Sequence, residues 1–281
     1  MIKIGVLVDN RISPQRDCML PEHGLSIYFE ANGRTWLYDV GASDAFAKNA
    51  KVLDLDIKEI DTLILSHAHN DHTGGLSYFL GKNKNAEIVA QETIDDKDYF
   101  SLSHDPMKNI SIDHTLLKDI GDRVCYVKDN KWLSENVVVV RNTIFDYPKP
   151  EANSELISVS DGAFSADNFE HEIAVVICTT NGLVILSACS HNGVLNIIES
   201  CKKATNEDRV LAFIGGAHIK DKHFNCENES KKIAEILLKK YPETKIVLGH
   251  CTGNKALKIM SNILGDNFIS LYSGWSCSFL K

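Results

Sequence analysis

The sequence predicts an α+β fold built on mixed sheets. Strand-like runs come first and form a hairpin, strand and helix then alternate, and the second half repeats this order without any sequence repeat. The opening runs are Lys3–Val8, Leu25–Glu30 and Thr35–Asp39, with Gly33 marking a hairpin turn between the last two. Phe46–Leu53 has helical spacing, and Ile57-Lys58-Glu59-Ile60 leads into the apolar strand Thr62-Leu63-Ile64-Leu65. Gly74 and Gly75 lead into a helix over Gly75–Leu80, and Glu87–Gln91 is a strand.

The stretch from about residue 92 to 136 is more polar, with Asp95-Asp96-Lys97-Asp98 and scattered histidines. It reads as an insertion over a site within a single domain spanning 1–281. Pro148-Lys149-Pro150 forces an extended loop. Ile173–Cys178 and Leu183–Leu186 are strands joined by the turn Thr180-Asn181-Gly182. Helix Val194–Lys203, strand Val210–Ile214, the amphipathic helix Lys231–Lys240 and strand Lys245–Leu248 complete the alternation.

Composition bounds the function. The chain has 281 residues, 44% hydrophobic and 24% charged, enough to bury a large core. A net charge of -8 argues against nucleic acid as a partner, because phosphate binding needs a basic stripe. No apolar run approaches the ~20 residues of a membrane span, and the first residues read as a strand rather than a signal peptide. The eight cysteines form no C-x-x-C pair, so free thiols in a reducing cytoplasm are expected. Cys178 and Cys201 read as small core residues, whereas Cys189 and Cys251 each lie within two positions of a candidate ligand histidine.

The chemistry concentrates in His67-Ala68-His69-Asn70-Asp71-His72-Thr73-Gly74-Gly75, directly after the apolar strand. Four ligand-type side chains within six positions suffice to begin two metal sites, and imidazole with carboxylate suits zinc, iron or manganese. Three later strands also end on histidines: Cys189-Ser190-His191-Asn192-Gly193, Gly215-Gly216-Ala217-His218 and Gly249-His250-Cys251-Thr252-Gly253. Ligands collect at strand carboxyl ends, where glycine lets the backbone approach closely. His191 and His250 read as ligands, and His218 reads either as a ligand or as a substrate contact. The Gly-x-x-x-x-Gly-Lys phosphate loop is absent from the sequence.

With its first loop His67-x-His69-x-Asp71-His72 and the late Gly249-His250, the chain resembles the metallo-β-lactamase superfamily of hydrolases. Glu22-His23-Gly24-Leu25-Ser26, Cys189-Ser190-His191-x-Gly193 and Gly249-His250-Cys251-Thr252-Gly253 resemble the branch of dihydropterin ribofuranosylaminobenzene phosphate synthase-like proteins. The resemblance implies an αβ/βα sandwich of two facing mixed sheets with outer helices. It also implies two divalent metal ions, with zinc favoured and manganese or iron as alternatives. His67, His69 and His191 would bind the first; Asp71, His72 and His250 would bind the second. Most members place a Gly-Asp pair where this chain has Ala188-Cys189, so the bridge is Cys189 as a thiolate, Glu172, or water alone.

The implied catalytic groups are Asp71, as ligand and hydrogen-bond acceptor of a shared hydroxide, and His218. Asp39 is either an acceptor for a ligand histidine N–H or a turn aspartate. Ser66, Thr73 and Thr252 read either as groups that hold the ligand side chains from behind or, preferably, as capping residues, His23 as a pocket candidate, and His104, His114 and His223 as surface. The expected activity is hydrolysis of a small ester, phosphoester or lactone by a metal-held hydroxide. A pterin-pathway phosphoribosyl-type synthase and a di-iron oxidoreductase are the alternatives. The expected partner is a small-molecule substrate, and apolar surface on an outer helix would support a homodimer.

Overall fold

A computed structural model describes residues 1–13 and 18–280. The chain divides into two compact units, Met1–Asp129 with Ser154–Ile173 and Tyr272–Phe279, and Asn130–Asn153 with Ala174–Leu271. Each contains a seven-stranded mixed sheet, and the first has a further four-stranded sheet. These sheets, with their helices, realise the expected α+β class.

In the first unit the large sheet runs, in spatial order, Ser276–Phe279, Ile2–Val8, Ser26–Ala31, Arg34–Tyr38, Thr62–Ile64, Glu87–Gln91 and Val124–Val127. The hairpin turns on Asn32-Gly33, both at positive φ (54° and 72°), which suits the twist of the flanking strands. Thr62–Ile64 is buried throughout and pairs in parallel with a neighbour on each side, so it has no solvent-facing period. Helices Ala45–Val52 and Leu76–Lys82 bury Phe46, Leu76 and Phe79 in a core with Leu37, Leu63 and Ile88. Each such side chain contributes about 1.5–3 kcal/mol when fully buried. Within the polar segment after Gln91, Asp98–Ser101 and Lys108–Asn109 enter the small sheet with Leu156–Ser160 and Ala163–Ala166. Val124–Val127 becomes the parallel edge of the large one.

In the second unit the order is Phe268–Ser270, Lys245–Leu248, Val210–Gly215, Gly182–Ser187, Ile173–Thr179, Val137–Arg141 and Lys131–Trp132. Gly182–Ser187, Val210–Gly215 and Lys245–Leu248 are consecutive and parallel, with Ser187 opposite Gly215 and Gly215 opposite Leu248. Parallel pairing brings the carboxyl ends of these strands side by side. Helices Val194–Thr205, Cys226–Lys240 and Asn254–Leu264 pack Ile198, Leu237 and Leu257 against Val176, Ile185, Phe213 and Ile246.

The basic end of helix Cys226–Lys240 is tied down by an ion pair. Lys240 Nζ donates to Glu199 Oε1 at 2.8 Å and Tyr241 Oη donates to the same atom at 2.7 Å. Burial pushes the Glu199 carboxyl up, but these bonds and Lys202 outweigh it and hold it at about 2. A depressed carboxyl stabilises the fold above its ordinary pKa of 4.5, and that stability is lost as pH falls toward about 2. Glu199→Gln is expected to cost about 1–3 kcal/mol at pH 7 and much less near pH 2, checked by urea melts across that range.

Candidate metal centre

In the first unit the ligand loop leaves strand Thr62–Ile64 and enters the four-residue helix Asn70–Thr73. A bridge between His69 and Ser111 and a hydrogen bond from Asn70 N to Ile110 O tie it to the segment after Lys108–Asn109. The rings of His67 and His72 lie 4.2 Å apart and those of His67 and His69 4.6 Å apart. Asp71 Oδ2 stands 3.4 Å from His72 Nε2 and 3.5 Å from His23 Nε2, which brings His23 to the ligand loop.

Asp39, at φ 62° after its strand, organises these rings. Its Oδ1 accepts Ser66 N–H at 2.7 Å, and its Oδ2 accepts the Ser66 hydroxyl at 2.6 Å and His72 Nδ1–H at 2.7 Å. Because the Ser66 hydroxyl donates to Asp39, its oxygen accepts His67 Nδ1–H at 2.7 Å. Both rings therefore donate through Nδ1 and leave Nε2, on the side away from Asp39, as the nitrogen available to a metal. Asp39 thus accepts the N–H of a loop histidine, as one of its two sequence readings had it, and the backbone N–H it accepts is that of the distant Ser66, not of a local turn; Ser66 is a relay rather than a cap. Burial pulls the His72 imidazole pKa down, but Asp71 and Asp39 outweigh it and push it up to about 10. Two carboxylates thus make this position favourable for positive charge.

A group that the sequence did not single out completes the first unit. His171 Nδ1 accepts Ala68 N–H at 3.1 Å, so its proton lies on Nε2, which donates to Asp167 Oδ2 at 3.2 Å. The same oxygen lies 3.6 Å from His69 Nε2. Burial raises the Asp167 carboxyl, but His171 and His69 outweigh it and hold it below the usual carboxylate range. Tyr99 packs against His171 with ring centroids 4.5 Å apart and the rings tilted by 55°. Asp167 N donates to Leu156 O, extending the small sheet to this point. Thus Asp167, rather than Glu172, is the carboxylate grouped with His69 and His171.

The glycines behind the loop are steric. A Cβ at Gly75 would strike the carbonyl oxygens of Val40 and Ser43, and one at Gly74 would strike those of Ala42 and Asn70. Gly75→Ala is expected to cost about 1–3 kcal/mol and lower the melting temperature by several degrees in a thermal melt.

In the second unit the three parallel strand ends gather Cys189, His191, His218 and His250. Cys189 Sγ lies 3.3 Å from His250 Nε2, and the rings of His191 and His218 are 4.2 Å apart. Asn153 Nδ2 donates to His191 O at 2.8 Å and its Oδ1 accepts His191 Nδ1–H at 3.1 Å, which leaves the Nε2 lone pair for a ligand role. No sequence pattern near Asn153 announces this contact. His218 N donates to Cys251 Sγ at 3.2 Å, and Thr252 Oγ1 accepts Ala217 N–H at 2.9 Å. Burial raises the Cys251 thiol, but Cys189, His250 and His218 outweigh it and hold it well below its ordinary value.

Imidazoles with fixed tautomers, a carboxylate and a thiol suit a divalent transition metal, and each unit's donors fit one by chemistry. The profile of the metallo-beta-lactamase superfamily matches residues 20–167, more than half of the chain and all of the ligand loop. The chain belongs to the metallo-beta-lactamase superfamily. A relative in Methanocaldococcus jannaschii, 7,8-dihydropterin-6-methyl-4-(beta-D-ribofuranosyl)-aminobenzene-5'-phosphate synthase, is 33% identical over 90% of this chain and 88% of its own. The crystal structure of Tm1679, a metal-dependent hydrolase of the beta-lactamase superfamily, matches with a TM-score of 0.84 at 24% identity over 100% of both chains. The metallo-beta-lactamase fold protein YhfI from Bacillus subtilis matches at 0.58 and 13% identity, over 99% of this chain and 100% of its own. These likenesses establish the metallo-beta-lactamase fold. Among the described residues no helix is long and apolar enough to cross a membrane.

Proposed function

We propose that this superfamily member is a dinuclear metal-dependent hydrolase of a small ester, phosphoester or lactone. The observation that carries the reading is the Asp39–Ser66 network, which gives His67 and His72 one tautomer each and leaves Asp71 beside His72. Preset imidazoles of this kind serve metal binding and have little other use in a buried loop. The donors are His67, His69, Asp71 and His72 in the first unit and Cys189, His191 and His250 in the second. Divalent ions supply acidification of a water and polarisation of the bond that it attacks, and a thiolate donor favours zinc.

The chain's own groups do the rest. Asp71 orients the attacking water and accepts its proton, with His23 beside it. Asp39 and Ser66 keep His67 and His72 from rotating, and Asp167 with His171 does the same for His69. His218 contacts substrate or binds metal. The free cysteines agree with a reducing compartment, the cytoplasm.

The 33% identity to the methanocaldococcal protein favours a second reading, a synthase acting on a dihydropterin and a phosphorylated ribosyl compound. One experiment separates the two. Protein purified without chelator or histidine tag is assayed for metal by elemental mass spectrometry. It is then offered aryl esters, phosphoesters and lactones, and separately tested for binding to dihydropterins and phosphoribosyl compounds. The hydrolase reading expects at least two zinc ions per chain, turnover in the first panel, loss after dialysis against chelator and recovery with zinc. Binding in the second panel without hydrolysis in the first transfers the assignment to the synthase.

A further inference from the structure

We propose that the second unit holds a soft divalent metal ion on Cys189, Cys251 and His218. It shares Cys189 with the donor set proposed above and otherwise rests on residues of this unit alone. The two Sγ atoms and a ring nitrogen of His218 lie within 4.8 Å of one another. Two thiolates and an imidazole on one tetrahedral zinc stand about 3.3–3.8 Å apart, so small side-chain movements close the site.

His218 supplies the independent observation. It is only 5% exposed, and neither Nδ1 nor Nε2 has a hydrogen-bond partner. A neutral imidazole offers one N–H and one lone pair, and burial leaves both without a hydrogen bond, which is unfavourable. A metal ion on the unprotonated nitrogen satisfies one of the two. The sulfur of Cys251 is also prepared, because it accepts His218 N–H at 3.2 Å, a bond that persists and strengthens when the thiol becomes a thiolate. Gly216 keeps the space open: a Cβ there would strike Cys251 Sγ and Ala188 O. Two thiolates neutralise a divalent ion, so the occupied site carries no net buried charge, and its loading releases two protons from the thiols. Sulfur-rich coordination selects zinc, cobalt or cadmium over magnesium and manganese.

The test is cobalt titration of the full chain after removal of bound metal, followed in the near ultraviolet, where thiolate-to-cobalt charge transfer absorbs and imidazole ligation does not. The wild type is expected to develop this band. Cys251→Ser and Cys189→Ser should each reduce it to about half, in proportion to the thiolates remaining. His218→Ala should weaken cobalt affinity, and His67→Ala should leave the band in place. Absence of the band in the wild type, an undiminished band in Cys251→Ser, or its loss in His67→Ala overturns the site. If the serine variant fails to fold, alkylation of the wild type decides: cobalt should protect Cys189 and Cys251 together, and Cys251 reacting equally fast with and without cobalt overturns the proposal. Failure of the hydrolase reading would appear as no turnover on any substrate, with the cobalt band unchanged.

Discussion

Replacing Asp71 with alanine is expected to cut turnover by about 10²–10⁴-fold, the usual scale for removing a group that handles the transferred proton, while leaving the fold intact. The side chain is 16% exposed, and its Oδ2 stands 3.5 Å from His23 Nε2 and 3.4 Å from His72 Nε2. The Asp71 backbone has a structural part of its own: its carbonyl accepts Leu25 N–H at 3.3 Å and lies where a Cβ on Gly24 would fall. Truncation to alanine keeps that carbonyl in place. Circular dichroism melts of the variant should therefore overlay the wild type, while kcat on the best substrate of the panel collapses and bound metal falls. Wild-type turnover in Asp71→Ala would remove the aspartate from the mechanism and with it the hydrolase reading.

Asp39→Ala is expected to have the largest combined effect on stability and metal. Asp39 is fully buried, and one carboxylate accepts from Ser66 N, Ser66 Oγ and His72 Nδ1. Alanine leaves these donors without their acceptor inside the protein, at about 1–3 kcal/mol per unsatisfied group. It also frees His67 and His72 to change tautomer, a loss that typically costs 10–100-fold in metal affinity. Asp39→Asn separates the two consequences. Its amide oxygen can still accept Ser66 N–H, but the NH₂ group then faces two donors, so most stability is retained while the tautomers are not enforced. Calorimetric melting temperatures and zinc competition against a chromogenic chelator measure the two effects independently. If Asp39→Asn kept wild-type zinc affinity, the tautomer argument would fail.

The distance between sequence and structure is clearest at particular residues. The ligand loop was legible because strand Thr62–Ile64 is buried on both faces and reads as a bare apolar run, with His67, His69, Asp71 and His72 directly after it. His191, His218 and His250 were legible for the same reason, each closing a short apolar strand near a glycine. Asp167 was not, because it lies in a polar stretch and reaches His69 only through the pairing of Leu156–Ser160 with Asp98–Ser101. Asn153 sits 38 positions before His191 and nothing local marks it. Ser66 looked like a cap because its role depends on Asp39, 27 positions earlier.

The sequence by itself determined the α+β class and which strand ends carry imidazole, thiol and carboxylate groups. Those properties follow from periodicity and side-chain chemistry, which are local. Only the tertiary structure decided which nitrogen His67, His72 and His191 offer, which carboxylate lies beside His69, and that Cys251 and a buried His218 whose ring nitrogens make no hydrogen bond lie beside Cys189. Hydrogen-bond direction and burial belong to groups far apart in the chain, and only sheet register brings such groups within reach of one another.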